Sequence, residues 1–128
     1  MISAVRDFLI DPRVKNINVD SDDRVAVHNR VLSEKVLMKH VFEEFYQTCI
    51  SICTNRFCDG GQEIEIGAGI SFFKKIRPQL VVTDVVPGPQ VELALDAQNM
   101  TAIENESVRA IYGLNCFHHL ERPRAFFS

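Results

Sequence analysis

The sequence predicts an α/β fold: a mostly parallel sheet of about four strands with flanking helices. Three observations carry this. Short apolar runs recur at Glu63–Ile66, Leu80–Asp84, Val91–Asp96 and Val108–Asn115. The first hands over directly to a Gly-x-Gly turn, Gly67-Ala68-Gly69. A helical stretch, Ser33 to about Arg56, precedes them all. Near-continuous apolar strands separated by non-strand connections are the mark of a parallel sheet buried on both faces.

Taken in order, residues 1–31 show no clear period, and Asp20-Ser21-Asp22-Asp23 reads as a solvated acidic turn. It lacks the glycine and distal glutamate of a calcium loop. From Ser33, Leu37, Val41, Phe45, Cys49 and Cys53 recur every fourth residue, with Phe42 and Ile52 filling the same face. That spacing predicts one helix covering the sheet, N-capped by Ser33, with Glu34 in its first turn. Phe57-Cys58-Asp59-Gly60-Gly61 ends it. Ile70–Ile76 is a short helix closed off near Pro78. Val86-Pro87-Gly88-Pro89 forbids regular structure. Glu104–Ser107 is a polar turn, Phe117–Leu120 a loop, and Arg122–Phe127 the start of a helix. The chain divides into an N-terminal helical segment, residues 1–61, and an α/β core, residues 62–128, within one compact domain.

Composition narrows the function. The 128 residues carry a net charge of −3, are 46% hydrophobic and 24% charged, and hold no basic run longer than Lys74-Lys75. A nucleic-acid backbone binder wants a basic face, so nucleic acid is not an expected partner. No window approaches the ~20 apolar residues of a membrane helix. The start, Met-Ile-Ser-Ala-Val-Arg-Asp, lacks a secretory pattern, so the four cysteines read as reduced thiols in a cytoplasmic protein. Cys49, Cys53 and Cys58 match no metal-ligand spacing, and no metal is expected. The acceptor patterns at Asn99 and Asn105 are incidental without a signal peptide.

Open parallel sheets bind ligands beyond the C-terminal ends of their strands. Here those ends are Glu65, Asp84, Asp96 and Asn115. Three acids and an amide suit a ligand bearing hydroxyls, amines and a positive centre. Gly67 and Gly69 let the backbone turn sharply against it. The helix that follows is expected to aim its free N–H groups and positive dipole end at the same place.

Glu-Ile-Gly-Ala-Gly at 65–69, Val-Thr-Asp-Val-Val-Pro at 82–87, Leu-Asp-Ala-Gln-Asn-Met at 95–100 and Leu-Asn-Cys-Phe-His-His-Leu at 114–120, in that order, resemble the class I S-adenosylmethionine (SAM)-dependent methyltransferases. The resemblance spans roughly Glu63–Ser128, implies a Rossmann-like sheet, and is nearest to bacterial methyltransferases of surface-saccharide and small-metabolite pathways. It implies that Glu65, Gly67, Ala68 and Gly69 cradle the methionine part of SAM. Asp84 would accept from the ribose hydroxyls and Val85 pack on the adenine. Asp96 would take the adenine amino group, the Ala97 N–H a ring nitrogen, and the Asn115 carbonyl the methionine amine. The implied reaction is in-line methyl displacement onto a small-molecule or saccharide acceptor, governed by positioning. His118, beside His119, is the candidate base for a hydroxyl acceptor. His28, Asn29, Arg30 and Tyr46 are candidates for shaping the acceptor site.

The chain departs from the family in three ways. Ser71 replaces the third small residue of the turn. Arg109 stands where an acid is common. The sequence stops at Ser128, where the family adds three more strands. An uncovered fourth strand, with Tyr112 and Leu114 on an apolar face, predicts a homo-oligomer, a second chain over that edge, or a longer gene product. Two other readings compete. One is a truncated module that binds SAM or a partner without turnover. The other is a nicotinamide-binding domain, with Asp84 at about the spacing of a ribose-binding acid but Phe72 where its third glycine should fall.

Overall fold

The computed structural model describes residues 11–13, 23–56, 60–70 and 72–127. The readings at Asp20–Asp22, Phe57–Asp59, Ser71 and Ser128 lie outside the described residues. The chain groups into two compact units, Met1–Phe42 and Glu43–Ser128.

In the first unit, α1 (Asp23–Glu34) and the start of α2 (Val36–Arg56) meet at Lys35. Ser33 is therefore not an N-cap. It lies in the last turn of α1, and its Oγ donates to the Arg30 carbonyl at 2.7 Å. The break at Lys35 is one residue wide, since Lys35 N still bonds Val31 O at 3.0 Å and Lys39 N bonds Lys35 O at 3.1 Å. Asp11 accepts from Arg13 and pairs with Lys35 at 3.2 Å. These cations, Arg13 foremost, hold the Asp11 carboxyl well below the usual range.

The second unit contains the sheet: β1 (Gln62–Glu65), β2 (Val81–Asp84), β3 (Leu93–Ala94) and β4 (Val108–Tyr112). All pairings are parallel, in the order β3-β2-β1-β4. With its flanking helices this is a Rossmann-like α/β fold, the class the sequence predicts. β3 is shorter than expected. Glu92 supplies both bonds to Val82, taking its N–H with the side-chain Oε2 at 2.9 Å and giving its own N–H to the carbonyl at 2.9 Å. A side chain thus does the work of a strand residue there.

β1 is central and alternates acid with isoleucine. Ile64 and Ile66 point to one face, where they pack with Ala97, Cys116 and, at its rim, Val81, Met100 and Phe126. Glu63 and Glu65 point to the other. There Phe73 stacks on Tyr46 with ring centroids 4.2 Å apart and meets Tyr112 edge-on at 4.9 Å. Tyr112 is thus buried, not part of an uncovered apolar face as its sequence position suggested.

Glu63 is accommodated on that face by charge. Arg77 reaches its two oxygens at 2.8 and 2.6 Å, Arg109 donates to Oε1, and the Tyr112 hydroxyl donates to Oε2 at 3.1 Å. Arg77, then Arg109 and Tyr112, pull the Glu63 pKa down to about 2 against the cost of burial. Arg109, which the sequence left unplaced, completes this network.

The predicted stripe on α2 divides. Cys53 is buried, whereas Leu37 is 77% exposed and Val41, Phe45 and Ile52 are also open; Tyr46, outside the stripe, is buried. Strict four-residue spacing drifts around a helix of 3.6 residues per turn, so one face cannot hold the whole row.

Candidate functional site

The site lies at the C-terminal ends of β1, β2 and β4. The chain lays β2 and then β3 on one side of β1 and returns to place β4 on the other, so β1 marks the switch point at which open α/β sheets bind ligands. Glu65 ends β1 and is 2% exposed; Asp84 ends β2 and is 5% exposed. Their backbones are tied together, because the Thr83 hydroxyl donates to the Glu65 carbonyl at 2.7 Å and Ala68 N bonds Thr83 O at 3.0 Å.

The glycine turn closes over these two acids. Gly67 and Gly69 have φ of +58° and +55°, a left-handed conformation that side chains resist. A Cβ on Gly67 would lie 2.5 Å from the Cys116 Cβ, so the absent methyl is what lets the loop after β4 close on the turn. A Cβ on Gly69 would meet nothing within 4 Å, leaving open space on that side. Asp84 holds the turn through its carboxylate: Oδ2 accepts from Gly69 N at 2.7 Å and Oδ1 from Val86 N at 2.9 Å.

Cys116 reports the proximity of the two acids. Burial pushes its thiol pKa up, and the negative charges of Glu65 and Asp84 push the same way. The residue before it, Asn115, also adopts a left-handed φ of +56°, which asparagine tolerates. The structure therefore brings together Glu65, Gly67, Ala68, Gly69, Asp84 and the Asn115–Cys116 backbone. Val85, 65% exposed, follows Asp84 at the open rim.

Asp96 and Ala97 follow β3 in the chain. Leu95 N bonds Asp84 O at 2.9 Å, and Asp96 Oδ1 accepts from Gln98 N at 2.8 Å, capping its own turn. Ala97 is buried against Ile64, Ile66 and Cys116. His118 is exposed in a 3-10 turn, Phe117–His119, with its ring 3.9 Å from that of His119.

Two expectations need correction. The helix after the turn, α3 (Phe73–Ile76), has four residues, and no side chain caps its start. One turn sums few peptide dipoles, so the positive helix end expected at the ligand is not built. Tyr46, a candidate for the acceptor site, is a core residue stacked on Phe73. In the first unit, Arg30 pairs with Glu34 four residues on at 3.3 Å.

Sequence reading missed Glu63, Gln90 and Cys116. Glu63 was detectable, since it shares the strand period of Glu65 and so must face the same way. Gln90, whose side-chain amide donates to the Gly69 carbonyl, and Cys116, which packs against Gly67, make contacts between distant loops and leave no local signal. Among the described residues no cluster could hold a metal ion, and none of the described cysteines Cys49, Cys53 and Cys116 is bridged. Among the described residues no helix is long and apolar enough to cross a membrane. An open depression of about 530 Å³ at Lys35–Met38 and Val41 is lined by apolar side chains and one lysine, and has no group for catalysis.

The fold and site define a class, a Rossmann-like parallel α/β domain with two buried acids, Glu65 and Asp84, at the tips of β1 and β2. In comparisons with family models, curated proteins and solved structures, nothing matches this chain.

Proposed function

We propose that the chain binds SAM in the crevice between the tips of β1 and β2 and serves methyl transfer to a small-molecule or saccharide acceptor. One observation carries this: two buried carboxylates, Glu65 and Asp84, flank a left-handed glycine turn with open space beside Gly69. The donor set fits the group. SAM carries an ammonium, a sulfonium and ribose hydroxyls, and fixed carboxylates complement all three. It has no pyrophosphate, and so needs no helix N-terminus. A dinucleotide does need one, and the single turn at Phe73–Ile76 offers none. This favours SAM over nicotinamide.

In this reading the bound group supplies an activated methyl. Glu65 and the Gly67–Gly69 turn hold the charged amino-acid end, with the Asn115 carbonyl as a further acceptor. Asp84 receives the ribose hydroxyls, and Val85 covers the base. Asp96 and the Ala97 N–H bound the adenine end. Their work is to orient the methyl and exclude water. His118, exposed past β4, takes the proton of a hydroxyl acceptor.

Calorimetric titration with SAM and, separately, NAD tests this. Heat with SAM and none with NAD is the expected result. Binding without turnover on any hydroxyl or amine acceptor would leave a SAM-binding module. Absence of SAM binding would end the proposal.

A further inference from the structure

We propose that Gln90 is the positioning residue of the glycine turn: its side-chain amide holds the Gly69 carbonyl and so sets the affinity of the crevice for SAM. The inference rests on the SAM reading above.

Gly69 is the softest point of the site. It has a left-handed φ of +55° and no packing neighbour where a side chain would stand. Glycine loses more conformational freedom on ordering than any other residue, so such a turn holds its shape only if something outside it does the holding. Both of its polar backbone groups are held. The N–H donates to Asp84 Oδ2 at 2.7 Å, and the carbonyl accepts from Gln90 Nε2. The two clamps come from one segment, the tip of β2 and the connection that leaves it.

That connection is itself stiff. Pro87 and Pro89 fix the backbone on either side of Gly88, and Val91 N closes the turn onto Gly88 O at 3.0 Å. Gln90 therefore projects from a rigid base and is half-buried. Its chemistry suits the task. An amide donates to a carbonyl without bringing a charge beside the carboxylates of Glu65 and Asp84, whereas a lysine would neutralise them and a glutamate would repel the carbonyl.

The two clamps are not equivalent when a ligand arrives. Ribose hydroxyls recruited by Asp84 compete with the Gly69 N–H for the same oxygen. Gln90 touches no part of the carboxylate and keeps its hold. It is then the main restraint on the Gly69–Ile70 peptide, and its loss should appear in ligand affinity more than in folding.

The test uses two variants of the full chain. Gln90→Met keeps length and removes the donor; Gln90→Glu keeps shape and sets acceptor against acceptor. SAM affinity is read by calorimetry, unfolding by thermal melt, and the Gly69 and Ile70 amides by 15N–1H NMR. The expected result is a SAM Kd weakened about three- to tenfold in Gln90→Met, the scale of one lost hydrogen bond, and more in Gln90→Glu. Melting temperatures without ligand stay close to the parent's, and the two amide signals shift and broaden.

If the parent binds SAM and both variants bind equally well, the role of Gln90 is refuted and the SAM reading stands. Melting temperatures that collapse along with affinity would make Gln90 a structural residue and also refute it. If the parent does not bind SAM, the functional reading falls. Unchanged Gly69 and Ile70 signals in the variants would then refute the clamp as well. Should neither variant fold, the parent decides: Gln90 side-chain amide protons that exchange as fast as those of an exposed glutamine refute the contact, and protected ones support it.

Discussion

Gly67 and Gly69 stand two residues apart with nearly the same φ, yet they do different work. Gly67 is fixed by crowding, since Cys116 occupies the space a side chain would need. Gly69 faces open space. Gly67→Ala combines the left-handed penalty with a contact that cannot relax cheaply, and should cost about 2–4 kcal/mol in denaturant unfolding. Gly69→Ala carries only the conformational penalty, about 1–2 kcal/mol, but should weaken SAM binding by filling the crevice. Asp84→Ala should weaken SAM binding about tenfold or more, as expected for lost hydrogen bonds to a charged group. A calorimetric Kd that stays at the parent value would remove Asp84 from the site. The glycine pattern and the acids were legible in sequence because turn and strand-end chemistry is local. The opposed roles of the two glycines were not, because Cys116 arrives from another loop.

At the scale of elements, β1 shows what a strand can bury when its partners carry charge. Glu63 is 2% exposed and is met by Arg77, just past α3, and by Arg109 and Tyr112 of β4. Removing Arg77 leaves the buried charge with Arg109 and Tyr112 alone, so Arg77→Met should destabilise by about 2–3 kcal/mol. Replacing the network together with apolar residues of similar volume should cost far less, and a multiple-mutant cycle by denaturant titration separates the two. Helix α2 offers a matching contrast. Tyr46→Ala removes a ring stacked on Phe73 and should cost about 3–5 kcal/mol. Leu37→Ala alters an exposed side chain and should stay within about 0.5 kcal/mol. The four-residue spacing put Leu37 and Cys53 in one stripe, and only packing separated them. The break at Lys35 was hidden as well, because no proline or glycine marks it.

For the whole molecule, stability should follow the ionisation of Glu63. Its folded pKa of about 2 lies below the ordinary glutamate value of 4.5. The contribution is therefore complete above the unfolded value and lost as pH falls through the folded one. Urea titrations between pH 7 and pH 2 should show a decline beginning near pH 5 that reaches on the order of 3 kcal/mol; in Glu63→Gln this component should vanish. Tyr112 bounds the alkaline side. Burial, then Cys53 and Glu63, push its pKa well above the usual value of 10.0. The unfolded chain then loses that proton first, so stability should fall as pH rises past about 10. SAM at a hundred times its Kd should add about 2.7 kcal/mol to unfolding, a shift that NAD should not reproduce. By itself the sequence determined the α/β class, the parallel strands and the acids at their tips, because apolar runs, glycines and chain-end polarity are written within a few residues. The tertiary structure alone decided which acids become neighbours, which glycine is crowded, and how Glu63 is neutralised. Those outcomes depend on contacts between residues far apart in the chain, and no local pattern encodes them.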